Sequence, residues 1–220
     1  MKETFPDVFS GRLGCCSKMK AKLELKENTM PVRRKPRPVP YASQQQIEEE
    51  LNRLEAAGIL SKVDYSEWAA PTVYVRKKSK EIRVCADFST GLNDVLKDHH
   101  YPLPNPEDVF TKLNGGKYFS KIDLSEAYLQ IPLEEESSKL MCIATHKGLY
   151  KFNRMAFGVK VAPAIFQQVM DTMLNDLDFA IAYLDDILMN SVDKKTTQGA
   201  RNESIRENTR IWFHIKRNKM

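Results

Sequence analysis

Four consecutive residues, Tyr183-Leu184-Asp185-Asp186, constrain this chain more than any others. Two adjacent carboxylates sit between the apolar runs Phe179 to Tyr183 and Ile187 to Met189, which read as the two strands of a hairpin with Leu184, Asp185 and Asp186 in its turn. The two anions repel each other, and withdrawal from water penalises both. A loop tip bathed in water tolerates such a pair. Bound divalent cations offset it better, because magnesium prefers oxygen ligands and keeps phosphate oxygens as additional ones. Taken alone, the string leaves both readings open.

A third carboxylate shifts the balance. Asp123 lies near the end of Tyr118 to Leu124, a run that reads as a buried strand terminating at a polar site. If that strand lies beside the hairpin, Asp123 and Asp185 bridge two metal ions about 4 Å apart, the arrangement for in-line phosphoryl transfer. One ion lowers the pKa of an attacking 3′-hydroxyl, and the other holds a triphosphate and the leaving pyrophosphate. The closeness of Asp123 to Asp185 is an assumption at this level, since spacing does not prove it.

Other segments frame these carboxylates. Ser43 and Gln46 form an S-x-x-Q capping box that opens a helix with Ile47, Leu51 and Leu54 on one face and a stop at Gly58. Thr72 to Arg76 and Ile82 to Ala86 read as a β-hairpin around the charged tip 77–81. Asn105-Pro106 starts a further helix, with Val109 and Leu113 inward, which Gly115-Gly116 ends. A second hairpin pairs Leu140 to Thr145 with Leu149 to Phe152. Pro163 begins a helix whose Ile165, Phe166, Val169, Met170, Met173 and Leu177 recur at helical spacing, a core stripe and not a ligand site.

Composition narrows the function classes. With 220 residues, 42% hydrophobic and 29% charged, the chain has the balance of a globular protein able to bury a core. Its longest apolar run, near Phe179 to Tyr183, is too short to span a bilayer, and MKETFPDVFS has no signal-peptide core. An intracellular protein with no membrane partner is therefore expected, cytoplasmic (in a virus-like particle) or nuclear, and not secreted. The net charge of +5 permits a polyanionic partner. Cys15, Cys16, Cys85 and Cys142 show no C-x-x-C spacing, so reduced structural thiols are expected, without zinc. Arg33 to Pro40 alternates basic residues with prolines and reads as an extended arm, either a solvated linker or a contact for nucleic-acid phosphate.

Together, several strings resemble a known family. RVCADFSTGLN (Arg83 to Asn93) is followed by YPLPNPEDVFTKLNGGKYFSKIDLSEAYLQIPL (Tyr101 to Leu133), FNRMAFGVKVAPAIFQQVMD (Phe152 to Asp171) and AYLDDIL (Ala182 to Leu188). In this order and spacing they resemble the reverse transcriptase of gypsy-type LTR retrotransposons, itself similar to retroviral polymerases. The resemblance runs from about Phe5 to Lys195. It implies an α+β right-hand polymerase fold of fingers and palm, with an antiparallel palm sheet backed by helices. An extended arm (1–42), fingers with the first part of the palm (43–117), the palm with its hairpin (118–195) and a tail (196–220) are expected.

The same resemblance implies roles for single residues. Asp123, Asp185 and Asp186 are the implied metal-binding triad for two Mg2+ ions, with Mn2+ as an alternative. Tyr128 falls where the family places an aromatic side chain under the incoming sugar, excluding a 2′-hydroxyl by size. Arg83 matches the fingers arginine that reaches the triphosphate, and guanidinium suits phosphate through its fork of donors; Lys78 is a second candidate. Phe157 and Gly158 correspond to the segment lining the nucleotide pocket, and Tyr183 and Leu184 to the primer terminus. Ser89 stands where arginine is frequent and Ala156 where proline is frequent, departures that soften the pocket without removing a metal ligand. His99 and His100 read as structural or exposed.

After Lys195 this resemblance stops. Codons permitted for Thr196 to Met220, read one nucleotide forward, encode QHKEHVMKVFEKIQEYGFTLKETK, which has apolar residues at helical spacing and resembles what the family carries there. A frameshifted tail is the expectation, with a polar disordered terminus as the alternative. The implied activity is RNA- and DNA-templated addition of deoxynucleotides to a primer, with template, primer and dNTP as partners. Thumb, RNase H and integrase segments of the polyprotein are expected to be missing, so the chain alone is expected to polymerise weakly or not at all. A non-catalytic remnant or a basic nucleic-acid-binding module is the rival reading. A DNA-templated nucleotidyltransferase with a similar palm fits the carboxylates but not the surrounding strings.

Overall fold

A computed structural model describes residues 13–77, 81–193, 199–200 and 202–204. Lys78 and most of the 196–220 segment lie outside the described residues. In chain order the elements are α1 (Tyr41–Ala56), β1 (Leu60–Val63), β2 (Ala70–Arg76), β3 (Ile82–Ala86), α2 (Leu92–Val95) and α3 (Pro106–Lys112). They continue with β4 (Tyr118–Asp123), α4 (Glu135–Leu140), β5 (Cys142–Thr145), β6 (Gly148–Phe152), α5 (Ala162–Leu174), β7 (Ala180–Tyr183) and β8 (Asp186–Ser191). Among the described residues no helix is long and apolar enough to cross a membrane.

The chain divides into two compact units, 1–19 with 99–131 and 163–220, and 20–98 with 132–162. A single cut near residue 117 does not separate them. The stretch 132–162 joins 20–98 because β5 pairs with β2 and β6 pairs with β1.

In the 20–98/132–162 unit the strands form one sheet in the order β1-β6-β5-β2-β3, antiparallel except for β2 beside β5. Hairpin β2–β3 runs in register from Thr72 opposite Ala86 to Arg76 opposite Ile82, as its β-branched residues lead one to expect. Helix α1 packs on β1 and β3 and buries Ile47, Leu51 and Leu54. It starts at Tyr41, two residues before the expected Ser43 cap, and no side chain caps it. The Ser43 amide already donates to the Pro40 carbonyl at 2.9 Å, so the backbone closes the first turn. The expected strand start at Leu140 is likewise corrected: Leu140 ends α4, and the strand begins at Cys142. Segment 135–140 (EESSKL) carries no apolar stripe, and its buried Ser137 and Ser138 bond the Leu23 amide and the Phe152 carbonyl instead. The basic arm makes one isolated parallel bridge, Arg33 beside Ala69, with Ala69 N on Val32 O at 3.1 Å and Arg34 N on Ala69 O at 2.8 Å.

The other unit carries a three-stranded antiparallel sheet in the order β4-β8-β7. Alternation gives it two unlike faces. Ser120, Ile122, Ala180, Ala182, Ile187 and Met189 are buried, whereas Phe119, Lys121, Asp123, Asp186 and Tyr183 lie on the half-exposed or exposed face. Asn105 and Asp108 form the capping box of α3, which packs on β7. Gly116 permits the turn after α3, since a Cβ there would meet the Asn190 Cβ at 2.6 Å.

Helix α5 buries its predicted stripe from Ile165 to Met173; it ends at Leu174, so Leu177, also buried, packs from the turn beyond it and not from the helix. A buried glutamine fastens it to the sheet. Gln167 Nε2 donates to Asp171 Oδ1 at 2.8 Å and to the Ala182 carbonyl at 3.2 Å, one residue before the Tyr183 hairpin end. Tyr101 Oη donates to the other Asp171 oxygen at 2.9 Å. Gln167→Leu removes both bonds from a site where polar partners are enclosed, and is expected to lower stability by about 2 kcal/mol. Thermal melting followed by circular dichroism checks it; an unchanged melting temperature would show that the bridge contributes nothing.

Candidate active site

The β4–β8 ladder places Asp123 directly opposite Asp186. Paired Cα atoms in an antiparallel ladder are about 4.5–5.5 Å apart. The Leu124 amide donates to the Asp185 carbonyl at 3.2 Å, which draws the third aspartate to the same strand end. The three carboxylates, far apart in sequence, therefore share one edge of one sheet. The Oδ1 atoms of Asp123 and of Asp185 are both sealed from solvent.

The hairpin is tighter than the sequence suggested. Asp186 is already the first residue of β8, opposite Tyr183, and leaves Leu184 and Asp185 as a two-residue turn. Leu184 adopts φ +54°, the left-handed region that a leucine side chain disfavours by about 1–2 kcal/mol. Its side chain is 54% exposed, so burial does not repay this strain. Leu184→Gly is expected to stabilise the fold by about 1 kcal/mol, visible as a melting temperature a few degrees higher. A lower melting temperature would mean that the leucine side chain makes contacts worth more than the strain.

Lys121 completes the cluster, and the sequence reading passed over it. Two residues before Asp123, it projects from the same face of β4. Its ammonium forms an ion pair with Asp186 Oδ2. The hydrogen bond to Asp186 raises the Lys121 pKa, burial opposes the rise, and the charges of Asp186 and Asp123 add to it. The donor set of Asp123, Asp185 and Asp186 is all carboxylate oxygen, which suits a hard divalent cation. Among the described residues, however, no three His, Cys, Asp or Glu side chains stand as a ready-made metal cage.

Tyr128 follows Glu126, which sits in the left-handed region at φ +46° and bends the chain after β4 into a short 3₁₀ turn. The half-buried phenol packs edge-on against Phe166 of α5, with ring centroids 5.2 Å apart. Burial pushes its pKa up to about 12, and the charge on Asp185 adds to the rise. Because the folded pKa lies above the unfolded value near 10, the stabilising contribution is complete below pH 10 and lost as pH climbs toward 12. Wild-type protein should thus lose on the order of 2 kcal/mol more than Tyr128→Phe between pH 10 and 12. Denaturant melts across that range check it, and parallel curves would refute it.

Arg83, Phe157 and Gly158 belong to the other unit. The Arg83 guanidinium lies 5.6 Å from the Phe157 ring centroid, a cation–π contact that orients it. Gly158 takes φ +92°, and a Cβ there would approach the Ala86 carbonyl to 3.2 Å. Asn93 locks this turn: its Nδ2 donates to Gly158 O at 2.8 Å, and its Oδ1 accepts from Lys160 N at 2.9 Å. Asn93 closes the first of the quoted strings, yet its place inside a four-residue helix gave no periodic signal. Ser89, where arginine was expected, donates to Asp87 Oδ1 at 2.5 Å; Asp87 also pairs with Arg37, and these bonds hold its carboxyl below the usual range. His99 is held by Gln168 at 2.9 Å, in keeping with a structural part. Lys78 lies outside the described residues.

The palm-like sheet with its edge carboxylates defines a polymerase-type architecture, and comparison with known proteins agrees. Residues 75–220 match the family model described as reverse transcriptase (RNA-dependent DNA polymerase), a stretch that runs on through 196–220, where the quoted strings no longer carry a resemblance. The chain belongs to the reverse transcriptase family. It is 49% identical over 193 residues to an uncharacterized Caenorhabditis elegans protein and 32% identical over 201 residues to the retrovirus-related Pol polyprotein from the Drosophila melanogaster transposon opus. These alignments cover 87% of this chain but 15% and 20% of the relatives, so the chain spans about a fifth or less of their length. Among solved structures, the protease–reverse transcriptase of prototype foamy virus superposes with a TM-score of 0.88 at 16% identity, over 97% of this chain and 29% of that one. A foamy viral protease–reverse transcriptase in complex with an RNA/DNA hybrid gives 0.86 at the same identity, over 98% of this chain and 29% of that one.

Proposed function

We propose that this chain contributes the catalytic carboxylates of an RNA-directed DNA polymerase, the reverse transcriptase of a retrotransposon polyprotein. The observation that carries the reading is the pairing of Asp123 with Asp186 across β4–β8, with Asp185 in the adjoining turn. Asp123 and Asp185 would hold two divalent ions, Mg2+ or Mn2+, with Asp186 beside them. When bound, such ions lower the pKa of a primer 3′-hydroxyl and balance the charge of the triphosphate and departing pyrophosphate. The protein's own part is positioning. Asp123 and Asp185 fix carboxylate oxygens on a rigid strand end, Tyr128 stands by packing on Phe166 where it would reject a 2′-hydroxyl, and Leu184 presents an exposed apolar surface for a primer end. Arg83, oriented on Phe157, is the proposed triphosphate contact. Template, primer and dNTP are the corresponding partners.

A specific observation keeps a second reading in view. Arg33, Arg34 and Lys35 line a groove of about 470 Å³ with Thr145, Gly148 and Leu149, a surface suited to nucleic-acid phosphate without any catalysis. Metal binding separates the two. Asp185→Asn is expected to abolish Mn2+ binding to the chain, measured by electron paramagnetic resonance. If Asp185→Asn and Asp123→Asn bind Mn2+ as wild type does, and nucleic-acid binding persists without magnesium, the catalytic reading gives way to the binding module.

A further inference from the structure

We infer that Lys121 is a positioning residue that acts as a place-holder cation, tying back Asp186 until a divalent ion displaces its ammonium. The inference rests on the reading of Asp123, Asp185 and Asp186 as the metal-binding carboxylates. Two observations support it. The alternation of β4 sets Lys121 on the same face as Asp123, and the ladder sets Asp186 across from Asp123, so a lysine two residues before the aspartate reaches the far carboxylate directly. The Lys121 side chain is 52% exposed while that of Asp186 is 23% exposed, so the ion pair is partly solvated and the ammonium withdraws at little cost.

Electrostatics explains why such a residue is useful. Three carboxylates crowd the strand end, with two Oδ1 atoms sealed from water, and their mutual repulsion would open the β7–β8 turn or pull Asp186 outward. An adjacent ammonium neutralises one charge and holds Asp186 near the ladder. A divalent ion brings twice the charge and accepts several carboxylate oxygens at once, so it outcompetes the lysine at the expense of the ion pair. Lys121 thereby trades metal affinity for order in the metal-free protein. A lysine merely packing on the strand would have no such effect on metal binding.

The test uses Mn2+ titrations by electron paramagnetic resonance, and melting in EDTA and in saturating Mg2+, on the 220-residue chain and on Lys121→Met, Lys121→Gln and Lys121→Arg. The neutral variants are expected to bind Mn2+ about fivefold more tightly, the scale of a partly exposed ion pair, and to melt lower than wild type in EDTA, with the gap closing in Mg2+. Lys121→Arg keeps the charge and should behave as wild type. Loss of a purely structural contact would lower stability in both media and never raise affinity. Unchanged or weaker Mn2+ binding in both neutral variants, alongside wild-type binding that depends on Asp185, overturns the place-holder role alone. Absence of Asp185-dependent binding in wild type overturns it together with the catalytic reading.

Discussion

The antiparallel ladder between β4 and β8 is the interaction on which the candidate site depends. Backbone hydrogen bonds fix which residues face each other, and the register sets Asp123 against Asp186 without any attraction between the two side chains. Those side chains in fact repel, so the ladder supplies the stability that holds them together. A slip of β8 by one residue would turn Asp186 into the core and push Ile187 out of it. The alternation of apolar and polar residues along both strands therefore excludes a one-residue slip, and the register specifies the site.

How much of this was legible in the sequence follows from which signals are periodic. The stripe of α5, the β2–β3 hairpin and the Asn105 cap all rest on local spacing, and the structure contains each of them. Helix α4 was missed because its burial runs through Ser137 and Ser138, whose hydroxyls bond distant backbone groups, so no hydrophobic period marks it. The Ser43 cap failed for the opposite reason: a good local motif was overruled by a turn that closes on Pro40. Register between β4 and β8 joins residues over sixty apart, and no local pattern encodes that pairing.

The site shows the same division. The three aspartates were visible as residue types in telling contexts, while the side chains that steady them were not. Lys121 looks like any exposed strand lysine until the ladder shows that the Asp186 carboxylate lies within its reach. Gln167 and Asn93 act on backbone carbonyls, of Ala182 and Gly158 respectively, and a carbonyl leaves no trace in the amino-acid sequence. Long-range hydrogen bonds to the backbone are thus the part of a site that composition and spacing convey least.

Both units answer the question of how to keep a charged or strained group in place, and they do so with different means. Around Phe157 and Gly158, the turn is fixed by the two-sided amide of Asn93, and the guanidinium of Arg83 is aimed by an aromatic face. Around the carboxylates, Leu184 keeps a left-handed backbone that a glycine would adopt more easily, and its strain persists because Tyr183 and Asp186 are paired on either side. A glycine at that turn would release the strain, while the Leu124 amide would still hold the Asp185 carbonyl at the strand end. The pairing of Tyr183 with Asp186 keeps the turn narrow and the leucine offers apolar surface at its tip, so the local strain and the fixed position of Asp185 both follow from one strand pairing.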